Sequence, residues 1–121
     1  MEINSLDILK KISEAAAEKK GVGLLVLEVG HFSTVTDYLV IVEGNVDRHV
    51  LALAHEIVKE VRDTFGIRPH HVEGLSAGDW VLIDYSDIIV HIFMPGMREK
   101  FRLESLWSPG KIIDLKAPLT A

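Results

Sequence analysis

A chain of 121 residues has room for one domain with one hydrophobic core. Its composition, 48% hydrophobic and 26% charged without low-complexity tracts, excludes disorder over most of its length. The net charge of −5 argues against a binder of phosphate backbones, and zero cysteines exclude disulfide frameworks, thiolate metal sites and cysteine nucleophiles.

The opening MEINSLDILKK is charged and periodic, unlike the tripartite pattern of a secretory signal. No apolar run approaches the roughly 18 residues of a membrane helix. The expectation is a cytoplasmic protein with no membrane partner. Ser5 to Lys20 reads as a helix capped by Asn4 or Ser5, with Asp7 in its first turn and Lys19 and Lys20 before Gly21. Leu6, Leu9, Ile12 and Ala16 form its apolar stripe, widened by Ile8 and Ala15. GLLVLEVG (Gly23 to Gly30) and TDYLVIVEG (Thr36 to Gly44) read as buried strands. A second helix is predicted from Val46 to Thr64, capped by Asn45 and ended by Gly66, on the period of Val50, Leu53, Ala54, Ile57, Val58 and Val61.

A short strand follows at His70 to Glu73, then a hairpin in WVLIDYSDIIVHIF, Trp80 to Phe93. Met97 to Trp107 reads as a short helix stopped by Ser108-Pro109-Gly110. The order predicts a single α/β domain over residues 1–107, a mixed sheet of about five strands with helices packed on it. Residues 108–121 read as an extended or loosely docked tail.

The hairpin poses the functional question. Alternate strand residues face opposite ways, and one set (Val81, Ile83, Tyr85, Ile88, Val90, Ile92) is almost wholly apolar. The other set is Trp80, Leu82, Asp84, Ile89, His91 and Phe93. If Tyr85 pairs with Ile88, that second face carries an aromatic end, an aliphatic centre and an acidic tip. Two readings fit: an interface anchored by Trp80, or a face covered by a helix.

Signals for chemistry are weak. There is no GxSxG elbow, and GNVDRHV (Gly44 to Val50) lacks the glycines and lysine of a phosphate loop. His70 and His71 beside Glu73 point to opposite sides if extended, so no metal site or cofactor is expected. Asp37, Asp84 and Asp87 leave one catalytic alternative, a magnesium-dependent nucleotidyl or phosphoryl transferase, although Tyr85-Ser86-Asp87 is also ordinary turn chemistry in which Asp87 holds the turn backbone.

Three blocks resemble the ribosomal silencing factors, also called the Iojap family, over nearly the entire chain. They are TDYLVIVEGNVDRHV at Thr36 to Val50, EGLSAGDWVLIDYSDIIVHIF at Glu73 to Phe93, and REKFRLESLW at Arg98 to Trp107. The resemblance implies a nucleotidyltransferase-like core without enzymatic activity. It also implies binding to the large ribosomal subunit through that subunit's protein number fourteen, steric exclusion of the small subunit, repression of translation under nutrient limitation, and a homodimer when free. The residues matching the family's WxLxDYxD pattern are Trp80, Leu82, Asp84, Tyr85 and Asp87, the expected partner-binding set, with His91 beside them. Asp37 and Tyr38 match the Thr-Asp-Tyr block and are possible additions. Val46 stands where the family usually has a small hydroxyl residue, and Phe101 where a tyrosine is common.

Overall fold

The computed structural model describes residues 3–30, 36–97 and 111–112. Helix α1 (Ser5–Glu18) starts as the sequence predicts: the Asn4 side chain accepts the Leu6 amide N–H at 2.8 Å, and Asp7 lies in the first turn. Its stripe buries Leu9, Ile12, Ala15 and Ala16. Strand β1 (Val22–Glu28) and strand β2 (Tyr38–Glu43) pair antiparallel, with a bulge between Val22 and Leu25. Strand β2 is buried as expected, but β1 is exposed at Val22 to Leu24, where the bulge breaks the pairing, and buried only at Val26 and Leu27.

Helix α2 (Asp47–Phe65) buries Val50, Leu53, Ala54, Ile57 and Val61, and ends at Gly66, whose left-handed backbone (φ +71°) lets its N–H donate a hydrogen bond to the Arg62 carbonyl. Its start differs from the predicted Asn45 cap. Val46 occupies the cap position and gives no side-chain bond. The Asn45 amide instead donates to His49 Nδ1 at 2.8 Å, while His49 Nε2 lies 2.6 Å from the Lys19 carbonyl. An imidazole one turn into α2 thus ties the helix start to the end of α1, and Asn45 serves it through its backbone.

Strands β3 (His71–Glu73), β4 (Trp80–Asp84), β5 (Ile88–Phe93) and β6 (Lys111–Ile112) complete a sheet of order β3-β4-β5-β2-β1-β6. Among the described residues only the central β2–β5 pair is parallel; the other pairings are antiparallel, so the sheet is mixed as expected. It has a sixth strand beyond the expected five, a two-residue edge in which Lys111 and Ile112 pair with Glu28 and Leu27. The rest of the tail, and the helix expected at Met97 to Trp107 beyond its first residue, lie outside the described residues.

Both helices pack on one face of the sheet, around Val26, Val40, Val42, Val81, Ile83, Val90 and Ile92. The opposite face has its own smaller cluster of Leu27, Val29, Leu39, Ile41 and Phe93. That second face carries four of the eight candidate residues, Trp80, Leu82, Asp84 and His91.

Candidate functional site

The hairpin forms in the predicted register. Trp80 lies opposite Phe93, Leu82 opposite His91 and Asp84 opposite Ile89. At its tip the Tyr85 amide donates to the Ile88 carbonyl at 2.9 Å. The Asp84 carboxylate accepts the Ser86 amide at 2.7 Å, which holds Ser86 in a left-handed conformation (φ +72°). The turn-holding carboxylate is therefore Asp84, and not Asp87 as the turn chemistry suggested. Asp87 contributes its carbonyl oxygen, which accepts the amides of Asp37 (3.1 Å) and Tyr38 (3.0 Å) and so anchors β5 to the start of β2.

Pairing extends the second face across neighbouring strands. Ile89 lies beside Leu39 and His91 beside Ile41, both on β2, and on the other side His71 and Glu73 of β3 lie beside Asp84 and Leu82. Burial changes along these rows. Phe93, Ile41 and Leu39 at the centre are buried, with Met97 packed against their cluster. Trp80, Leu82, Asp84 and Ile89 are half-buried, and His71 and Glu73 at the sheet edge are exposed, 3.4 Å apart. An apolar strip of Trp80, Leu82 and Ile89 thus runs beside the carboxylates of Asp84 and Glu73.

Three aromatic rings close the far end of the strip. Trp80 Nε1–H donates to His91 Nδ1 at 3.0 Å. Its ring centroid lies 5.2 Å from Phe93 and 5.9 Å from His91, while His91 stacks on Phe93 at an interplanar angle of 7°. Burial pushes the His91 pKa down to about 4, so at neutral pH the ring is uncharged. Accepting at Nδ1 fixes its proton on Nε2.

The structure brings Trp80, Leu82, Asp84 and His91 together and separates Tyr85 from them. Tyr85 lies in the helix-side core at 8% exposure. Its hydroxyl is buried and has no hydrogen-bond partner among the described residues, and burial pushes its pKa up to about 12. Its place in the alternation, among the apolar set, already put it there; the family pattern obscured that. Asp87 and Asp37 are exposed near the tip. Tyr38 is half-buried and packs on the helix side. It also lines, with Glu28, Gly30 and Asp37, an open recess of about 270 Å³. Burial there, then the charges of Glu28 and Asp37, raises the Tyr38 pKa.

Among the described residues no group of three or more His, Asp or Glu is arranged to hold a metal ion, and Asp37, Asp84 and Asp87 do not form one. No helix among these residues is long and apolar enough to cross a membrane. Sequence reasoning left His71 and Glu73 out of the face, because only the β3–β4 register places them there. Ile89 was visible in the alternation but lay outside the motif.

Comparison with known proteins supplies what geometry leaves open. The profile of the family described as "Ribosomal silencing factor during starvation" matches residues 2–121. The chain belongs to this family. A ribosomal silencing factor from Bacillus subtilis is 37% identical over 113 residues, spanning 93% of this chain and 95% of that protein. The mouse protein named "Mitochondrial assembly of ribosomal large subunit protein 1" is 32% identical over 100 residues, 81% of this chain and 44% of its own length. A crystal structure of a protein from Chromobacterium violaceum superposes with a TM-score of 0.83 at 28% identity, covering 98% of this chain and 99% of that one. The resemblance carried by the three sequence blocks is thus a family relationship over the whole chain. The family is named for silencing, a regulatory role, and not for a reaction.

Proposed function

We propose that this protein binds the large ribosomal subunit through that subunit's protein number fourteen, excludes the small subunit sterically, and so represses translation when nutrients are limited. Its docking surface is the second sheet face: Trp80 and Leu82 as apolar anchors, extended by Ile89, with Asp84 and Asp87 meeting basic groups of the partner. Tyr85 is left out of the contact set, since its ring belongs to the core. The observation that carries this reading is the half-buried Trp80–Leu82–Ile89 strip beside carboxylates, on the face away from both helices, in a member of a ribosomal silencing family. The name of the mouse relative, which concerns large-subunit assembly, supports the choice of subunit.

Such a face needs no chemistry. Interface centres favour tryptophan, and surrounding charges steer encounter and select the partner. A second copy of this chain would use the same strip if the free protein is a homodimer, and dimerisation would then compete with ribosome binding. Concentration-dependent sedimentation with and without large subunits reads that competition.

The test is co-sedimentation of the purified protein with isolated large and small subunits, alongside folded Trp80→Ala and Asp84→Lys variants. The expected result is binding to the large subunit alone, reduced in both variants and weakened by salt. Wild-type affinity in a folded Trp80→Ala variant would move the site elsewhere, and the absence of large-subunit binding by the wild type would overturn the function.

A further inference from the structure

Trp80 is the largest side chain of the strip, and it is fixed from two directions. Its backbone is gripped by Gly74, which runs with φ +87° so close that a Cβ there would collide with the Trp80 carbonyl oxygen. Its side chain is gripped by His91. The indole N–H donates to Nδ1 at 3.0 Å, and the imidazole in turn runs parallel to the ring of the fully buried Phe93, with centroids 5.9 Å apart. Orientation is thereby passed outward from the core, from Phe93 to His91 and from His91 to a half-buried indole.

We propose that His91 is a positioning residue for the docking surface: it accepts the Trp80 indole N–H and so presets the anchor in its bound orientation. The inference rests on the reading that a partner docks on this face. Two features make the histidine suited to the task. A neutral imidazole carries a lone pair at Nδ1 that leucine or phenylalanine would lack. Its ring is also buried and runs parallel to that of Phe93, with centroids 5.9 Å apart, which limits its rotation away from the indole. An indole free to swing across the face would have to be ordered at the moment of binding, and that ordering lowers affinity. A wet indole N–H left without an acceptor would also have to be desolvated there without compensation.

The experiment has two arms. In the free protein, hydrogen exchange of the Trp80 indole N–H is followed by NMR, with Trp107→Phe assigning the second indole. His91→Leu should accelerate exchange. His91→Asn, which returns an acceptor oxygen near the place of Nδ1, should restore slow exchange. In the second arm, binding to isolated large subunits is measured for His91→Leu, Trp80→Ala and the double variant. His91→Leu should weaken binding about three- to tenfold in the wild-type background and have no further effect beside Trp80→Ala. Rescue of both exchange and affinity by His91→Asn would establish positioning, since a purely structural role would not be restored by an acceptor alone.

An equal loss from His91→Leu with and without Trp80 would overturn the proposal, as would unchanged indole exchange. If the wild type binds no large subunit, the functional reading fails and this proposal with it, whatever the free-protein arm shows about the indole.

Discussion

The two faces of one sheet are built to different standards of closure. On the helix side, α1 and α2 seal a cluster in which Val81, Ile83, Val90 and Ile92 are all fully buried. On the other side, burial is complete at Phe93, Leu39 and Ile41 and then falls off through Trp80, Leu82 and Ile89 to the exposed edge at β3. The same two strands supply both faces, so backbone and register are shared and only the side chains differ. Residues of the first face are selected by packing. Residues of the second combine apolar area, a carboxylate and a hydrogen-bonded aromatic pair, a mixture that a core does not need and a docking surface does.

The sharpest way to break this comparison is to truncate one residue on each face of the hairpin. Ile92→Ala on the helix side should cost about 3–4 kcal/mol in chemical denaturation, because it opens a cavity in a closed cluster. Leu82→Ala at the open strip should cost under about 1 kcal/mol. Equal losses would mean that the second face is as closed as the first.

A pH series separates the faces next. Burial holds His91 near a pKa of about 4, against 6.5 for an exposed histidine. Between those values the unfolded chain binds more protons than the folded one, so stability declines as pH falls. The contribution is fully present above pH of about 6.5 and has lost about 3 kcal/mol once pH reaches about 4. His91→Asn should flatten that part of the stability profile. No comparable change should appear there from the helix-side Tyr85, whose pKa is raised instead.

Binding gives the third contrast. Trp80→Ala should weaken association with large subunits by about 2 kcal/mol, read by co-sedimentation, while changing the thermal midpoint little. The smallest effect belongs to Tyr85→Phe. Its hydroxyl is buried with no bonded partner among the described residues. Removing it should therefore raise stability by up to about 1 kcal/mol, and leave subunit binding unchanged. A loss of binding in that variant would return Tyr85 to the contact set.

Much of this arrangement could be read from residues alone, and the misses have local causes. The hairpin register followed from period-two alternation around a turn, and it placed Trp80 opposite Phe93 and Leu82 opposite His91 as observed. The two helices followed from their stripes. Asn45 failed as a cap because α2 begins at Asp47, one residue later than the stripe suggested, which leaves Val46 in the cap position. The Asn45 amide bonds to His49, whose ring also reaches the Lys19 carbonyl thirty residues before it in sequence. Tyr85 was drawn into the site by its place in a motif, although its parity assigned it to the core. His71 and Glu73 could be added to the face only once β3 was paired with β4, and β6 only once residues 111–112 were seen beside β1. The gradient of burial across the second face depends on strands from distant parts of the chain, and no window of sequence contains it.

The parallel pairing of β2 with β5 has a consequence in time. It joins Tyr38 to Ile88 and Glu43 to Phe93, residues about fifty positions apart, and everything on the second face is organised around that seam. Contacts of such long range form slowly, because the entropy of closing the intervening chain must be met before the pairing contributes. A polypeptide still emerging from synthesis has helices α1 and α2 within reach of one another long before it has β5. It therefore lacks the paired β4–β5 face of Trp80 and His91 until strand β5 has been made, well after both helices, and the surface proposed for docking is among the later parts of the fold to form.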